Sequence, residues 1–321
     1  MALPFVLLAF AWPWGAFGLA RFLPAPRWTR WLAGFAVLAV TVWLLCSPLL
    51  SWWEKLLVLL VPIVICAGIV SLRRPKQHGD WVEEQSQLPV ASVDGDLMTI
   101  KNFRHTDFRT LTDFDVRFME RTFDLSKVDA VDFLVVPFSK WRGLAHVFVS
   151  FGFEDGEHFA VSVEARRENG ESYSVVGGVY NRYEVIYAVG DERDVVRKRV
   201  LQNHPVYVYP MITDPPSARA LLESMLGKAT ELAETPEFYH TVTNTCTSNV
   251  LEHATRLENR PRRYDFRLVF PGFADGLGVE IGLIDAPEGL AALREASLIN
   301  ESAKVAPLED GVAWSRAVRG N

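Results

Sequence analysis

Three long uncharged apolar runs open the chain: Met1–Ala20, Trp31–Trp53 and Leu56–Leu72, of 20, 23 and 17 residues. A helix needs about 20 apolar residues to cross a hydrocarbon core of roughly 30 Å. The run Leu56–Leu72 has no polar face, so it is not an amphipathic surface helix. The second run, WLAGFAVLAVTVWLLCSPLLSWW, is the strongest span, and the third is shorter and bounded by Lys55 and by Arg73-Arg74. The first contains Pro4, Pro13, Gly15 and Gly18 and reads as a kinked span or a re-entrant segment. No basic residues precede it, so a cleaved signal peptide does not fit. The alternative, a helix hairpin buried in a soluble core, is opposed by the length of uncharged sequence. Trp28, Trp31, Trp52 and Trp53 fall at run ends, where indole rings favour the headgroup level.

After residue 76 the pattern changes. Residues 77–130 are polar, with a turn at Asp94-Gly95-Asp96, and read as a linker with first strands around Leu97–Asn102. Phe133–Phe138, Leu144–Phe153, His158–Arg166, Glu184–Val189 and Val206–Met211 follow as strands. A tight turn at Asp155-Gly156 joins the second to the third. Helical spacing begins at Ser217–Ala233, where Leu221, Leu222, Met225, Ala229 and Leu232 share a face and Ser217 is placed to cap behind two prolines. A second helix is expected from Cys246 to Leu257, and a third near Gly289–Ala296. Strands followed by helices predict an α+β body with an antiparallel sheet. The expected domains are a membrane region of about three helices over 1–76, linker and first strands over 77–130, a catalytic domain over 131–290 and a tail over 291–321.

Charge divides the chain at the same place. Residues 1–76 carry seven basic side chains against Glu54 alone, and the body holds the balance of the net −6. An acidic body without a basic stripe argues against nucleic acid as a partner. Cys46 and Cys66 lie in apolar runs, so Cys246 is the one thiol of the body. That excludes a disulfide framework or a multi-cysteine zinc site there, and neither metal nor cofactor is expected.

Cys246 sits in Asn244-Thr245-Cys246-Thr247, just before apolar periodicity begins. These residues are good caps, so Cys246 is expected in the first helical turn. There the unpaired N–H groups favour a thiolate and lower the thiol pKa. The competing reading is a buried cysteine at a helix start. His146, on the strand Leu144–Phe153, is the candidate general base. A two-residue turn at Asp155-Gly156 places Glu164 opposite Val147 and Ala165 opposite His146. A one-residue bulge would then bring Glu164 onto the face of His146 to orient it. Alternatively Glu164 is solvated or paired with Arg166 or Arg193. His158, opening the partner strand, is a second candidate for the orienting role.

The segments Ala145–Phe153, Ser162–Glu168, Tyr183–Tyr187 with Gly190–Asp194, and Phe238-Tyr239 with Asn244–Thr247 resemble, in order and spacing, the Lnb N-terminal periplasmic domain family over roughly residues 80–290. The family's Asn-Cys-Thr-Thr stands here as Thr-Cys-Thr-Ser, with Asn244 one place earlier. The resemblance implies a circularly permuted papain-like domain, the His strand preceding the Cys helix. It also implies lipoprotein N-acyltransfer from a phospholipid through a Cys246 thioester, with a membrane lipid as donor and a lipoprotein amine as acceptor. His146 is then base and acid, Glu164 (or His158) its orienting group, and Asn244 and Tyr239 substrate or oxyanion candidates. A membrane-anchored papain-like hydrolase of the envelope and a non-catalytic binder are the alternatives. The resemblance places a multi-pass protein in the bacterial inner membrane with a periplasmic body. The positive-inside rule, applied to Arg21, Arg27 and Arg30 and to Arg73, Arg74 and Lys76, favours a cytoplasmic one.

Overall fold

A computed structural model describes residues 12–18, 20, 26–257, 265–308 and 310–320. The chain forms two compact units, Met1–Arg74 and Pro75–Asn321.

In the first unit, residues 12–18 are helical (α1), followed by α2 (Arg27–Cys46) and α3 (Trp52–Leu72). Most of the expected first run lies outside the described residues. α2 and α3 are each long and apolar enough to cross a membrane, and only 11% and 6% of their apolar stretches are buried, unlike a soluble core hairpin. The break between them is not at Glu54-Lys55, as the charges implied. It falls at residues 47–51, where the Ser47 N–H reaches back to Leu44 O and Pro48 has no N–H with which to continue the helix. Glu54 instead belongs to the first turn of α3, accepting from the Ser51 N–H at 2.8 Å as half of a capping box.

The body is mixed α+β. Its strands are β1 (Val90–Asp94), β2 (Leu97–Phe108), β3 (Phe114–Asp124), β4 (Val128–Pro137), β5 (Ala145–Phe153), β6 (His158–Arg166), β7 (Tyr183–Asp191), β8 (Tyr207–Pro210) and β9 (Phe238–Tyr239). They make one sheet in the order β1-β2-β7-β6-β5-β4-β8, with β3 beside β2 and β9 beside β7. All pairings are antiparallel except the β2–β7 contact at Arg104↔Gly190. Residues 77–130 therefore contribute three strands of the main sheet.

The helices are α4 (Val175–Val179), α5 (Glu192–Leu201), α6 (Pro215–Glu234), α7 (Cys246–Leu257), α8 (Ala274–Glu280), α9 (Leu290–Ala296), α10 (Asn300–Val305) and α11 (Gly311–Val318). α6 buries Leu221, Leu222, Met225, Leu226, Ala229 and Leu232 in the core shared with β5, β6 and β7. Burial stabilises by about 1.5–3 kcal/mol for each large side chain. Its cap is Asp214 rather than Ser217: the Asp214 carboxylate accepts the Ser217 N–H at 2.8 Å. Pro215 and Pro216 occupy the first helical positions, where a missing N–H costs nothing. On the other face Leu134, Val136 and Phe148 meet Val195, Val196 and Val200 of α5 and Trp314 of α11. The segment expected as a tail thus completes a second core.

The β5–β6 hairpin corrects the expected register. Val149 pairs with Val161, Ser150 with Ala160, Phe151 with Phe159 and Gly152 with His158. The loop is three residues, not two: the Phe153 N–H bonds Glu157 O at 3.0 Å, and Gly156 takes a left-handed φ of 85°. The odd loop length shifts the pairing by one residue. Continued along the strands, this register sets Glu164 opposite His146 with no bulge.

Candidate active site

β4, β6 and β7, with β5 running back between its neighbours, present one edge of the sheet where Pro137, Ala145, Arg166 and Glu184 lie side by side. A cavity of about 440 Å³ opens there, and His146, Glu164, Tyr239 and Cys246 all line it.

Cys246 starts α7, as its context predicts. Thr245 and Ser248 cap the helix reciprocally: the Ser248 N–H donates to Thr245 Oγ1 at 3.1 Å and the Thr245 N–H to Ser248 Oγ at 2.8 Å. α7 is anchored beneath by His253. Its ring nitrogens meet the Tyr187 hydroxyl at 2.9 Å and Ser224 Oγ at 2.8 Å. The Cys246 sulfur lies 3.9 Å from Thr247 Oγ1, and the Val147 N–H of β5 and Thr247 act to lower its pKa. The thiol pKa is nevertheless raised: burial outweighs these donors and the helix terminus, reversing the expected direction.

His146 does not touch Glu164 directly. Its Nε2 lies 2.7 Å from Ser162 Oγ, and the Ser162 hydroxyl donates to Glu164 Oε1 at 3.0 Å. Burial pushes the Glu164 carboxyl up, but the Arg199, Arg104 and Lys198 cations outweigh it and hold it far below the usual carboxylate range. An ionised carboxylate only accepts, so the Ser162 proton points to Glu164 and Ser162 Oγ must accept from His146 Nε2–H. That fixes the tautomer and leaves Nδ1 as the basic nitrogen. Burial, then Arg199, depresses the imidazole pKa to about 3 against the pull of Glu164, so His146 is neutral at physiological pH. At rest Cys246 is a thiol and His146 a neutral imidazole.

Glu164 is further held by Gln85 Nε2 at 3.0 Å and the Arg199 guanidinium at 2.9 Å. Its cation is therefore Arg199 on α5, neither of the expected arginines. Arg166 lies over the Trp81 ring and donates to Gln85 O, and Arg193 pairs with Asp107. Arg199 was not legible in the sequence, because α5 offers only Val195, Val196 and Val200 as a buried apolar set among charges. Ser162 had a signal: it is two residues before Glu164 on a strand, hence on the same face.

Other expectations move. His158 opens β6 opposite Gly152, six residues from Glu164, and its ring turns back to Gly156 O at 3.1 Å. At about 3.3 Å per residue it is some 20 Å along the strand and does not reach His146. Asn244 directs its amide away from the cavity. Its Nδ2 donates to Phe238 O at 3.0 Å and its Oδ1 accepts from Asn249 at 2.7 Å, so it staples the loop to α7. Tyr239 does line the cavity with Cys246, its ring edge-on to that of Tyr173 with 6.1 Å between centroids. Burial, then the neighbouring thiol, raises its pKa well above the ordinary tyrosine value.

The remaining walls are of two kinds. Phe138, Leu144, Val175, Leu268, Val269 and Phe270 form an apolar side, and Lys198, Arg167 and Glu84 a charged one. The apolar wall is held by Asp275, fully buried, which accepts from Arg142, Arg294 and Tyr209. Gly272 allows this packing: a Cβ there would fall 1.6 Å from Arg142 O. Among the described residues no three His, Cys, Asp or Glu side chains converge as metal ligands.

Residues 114–271, which contain every strand of the site and Cys246, match the family model described as the Lnb N-terminal periplasmic domain. No curated protein and no solved structure matches the chain.

Proposed function

From the match of residues 114–271 to the Lnb N-terminal periplasmic domain family, we propose that the protein is a membrane-anchored cysteine acyltransferase. It moves an acyl chain from a phospholipid to the N-terminal amine of a lipoprotein. The observation that carries this reading is the meeting, in one cavity with an apolar wall, of a helix-start thiol with a histidine whose tautomer is fixed through Ser162 by Glu164. The order of a histidine strand before a cysteine helix is also that of a permuted papain-like enzyme.

In this reading His146 Nδ1 takes the Cys246 thiol proton as the sulfur attacks the ester carbonyl. The C–S bond forms, and the backbone N–H groups at the start of α7 hold the oxyanion. The ester C–O bond then breaks, and the imidazolium returns the proton to the departing lysolipid alkoxide. The acceptor amine next attacks the thioester, gives its proton to His146 and expels the thiolate, which is reprotonated. Glu164 stabilises the transient imidazolium, and Ser162 keeps the ring in register. Desolvation of the thiol makes the thiolate form only when His146 accepts the proton, which restricts water reactivity in the empty site.

Incubation with phospholipid followed by intact-protein mass measurement tests the reading. It expects a hydroxylamine-labile acyl adduct on Cys246, discharged by an amine acceptor with formation of an amide. Release of free fatty acid or peptide without acylated amine identifies the hydrolase instead, and no adduct under either condition rejects catalysis by Cys246.

A further inference from the structure

The loops that carry the cavity also carry the exposed apolar surface of the body. Among the described residues after 75, twelve large apolar side chains are exposed, and Trp141, Tyr173, Val176, Val242, Phe266 and Val269 make up half of them. These six come from four separate connections: β4–β5, β6–β7, β9–α7 and the segment between α7 and α8. All three exposed aromatic side chains of that part of the chain are in this group. Trp141 packs edge-on against Phe270, 4.9 Å between centroids, and Val269 and Tyr173 belong to the cavity wall itself. The apolar rim is thus continuous with the apolar wall that leads to Cys246.

The covalent path says what covers this rim. Leu72 ends α3, and Lys76 is already fixed in the body: its N–H donates to Glu184 Oε1 at 2.9 Å and its ammonium pairs with Glu168 at 2.7 Å. Glu184 lies at the start of β7, on the same sheet edge as Ala145 and Arg166. Four residues of fully extended chain span at most about 14 Å. A segment of membrane-spanning length therefore delivers the chain to the edge that bears the rim.

We propose that this rim is a bilayer-docking surface. Trp141, Phe266, Val269, Val242, Val176 and Tyr173 seat in the headgroup and acyl boundary, so that a lipid chain passes from the bilayer into the cavity without crossing water. The occupant is a phospholipid surface, and the proposal rests on α2 and α3 crossing that membrane. Aromatic and aliphatic side chains on otherwise polar loops are the composition such an interface requires. The geometry also supplies a route for a substrate that cannot leave the bilayer.

The test uses the full chain in nanodiscs of phosphatidylcholine and phosphatidylglycerol, with Cys46, Cys66 and Cys246 changed to Ser. Bimane is attached at Val242→Cys, at Phe266→Cys or at Leu111→Cys, the last in the exposed β2–β3 turn at the opposite edge. Doxyl lipids labelled near the headgroup should quench positions 242 and 266 and leave 111 unquenched. Equal quenching at all three, or none at 242 and 266, overturns the proposal. This background lacks the reactive thiol, so the result is independent of acyl transfer. In the otherwise native chain, Trp141→Ser with Phe266→Ser should lower thioester formation from bilayer lipid by about tenfold while leaving that from a soluble short-chain ester unchanged. Equal losses on both substrates count against docking. If no thioester forms on either substrate while 242 and 266 are quenched, the acyltransferase reading fails and docking stands.

Discussion

His146 Nε2 lies 4.0 Å from Glu164 Oε1, beyond direct hydrogen bonding, and the Ser162 hydroxyl fills the gap at 2.7 and 3.0 Å. The Glu164 carboxylate thus reaches the imidazole only through a neutral hydroxyl. The relay lets Glu164 keep its ion pair with Arg199 while still dictating which imidazole nitrogen carries the proton.

Ser162→Ala removes the relay while keeping the Glu164 carboxylate and the His146 imidazole. It should lower turnover about 10- to 100-fold, a loss of about 1–3 kcal/mol from the hydrogen bonds left unmade. The melting temperature should fall less than in Glu164→Gln, since Ser162→Ala breaks hydrogen bonds but no buried ion pair. Glu164→Gln should cost both activity and stability, because Arg199 loses its partner in a buried setting. Measuring kcat and thermal unfolding on both variants checks this. Parallel losses of stability would make Ser162 merely structural.

Cys246→Ala should abolish adduct formation and leave the fold intact, since the sulfur fills a site that alanine vacates by one small atom. A cost of about 1 kcal/mol is expected from the lost packing. Turnover by the alanine variant comparable with that of the parent would remove Cys246 from the chemistry.

The pH behaviour follows from the two shifts. A raised thiol pKa and an imidazole depressed to about 3 give no thiolate–imidazolium pair at rest. Alkylation of Cys246 by iodoacetamide should be slow at pH 7 and rise continuously with pH, with no plateau at mildly acidic pH. A histidine whose folded pKa lies below its unfolded value binds fewer protons when folded. Its contribution is therefore complete above the unfolded value near 6.5 and is lost as pH falls toward the folded one. Denaturation midpoints between pH 7 and 4 should fall less in His146→Ala than in the parent. An alkylation plateau reached below pH 6 would show that the ion pair exists.

Asp275 should behave as a structural ion. Burial pushes its carboxyl up, but Arg294 and Arg142 outweigh it and lower the pKa. Its stabilisation is present above the ordinary aspartate value and is lost as pH falls through the folded one. Asp275→Asn should destabilise by about 3 kcal/mol, because two arginines lose their buried partner. Chemical denaturation measures this, and a change below about 0.5 kcal/mol would place the wall's stability elsewhere.

The side of the membrane is open to a direct measurement. The family match favours a periplasmic body, whereas the arginines of the first loop favour the cytoplasm. A phosphatase fused after residue 321 should be active. An inactive fusion, with an active cytoplasmic reporter at the same junction, would remove the lipoprotein acceptor from the proposed reaction.

Two membrane-length apolar helices before residue 73, the β5 and β6 spans, and α7 with Cys246 in its first turn were readable from the sequence. Each depends on local quantities: helix length, period-two alternation, and the capping preferences of Asn244, Thr245 and Thr247. What lay beyond the sequence were the relations that packing sets. A single loop residue at Glu154–Asp155–Gly156 decided whether Glu164 faces His146, because side chains alternate faces with every residue of register. The partner of Glu164 came from α5, whose charged sequence conceals its three-valine buried face. Burial decided the state of the thiol: the helix start favours the thiolate, but desolvation of Cys246 in the closed core of the site is the larger effect.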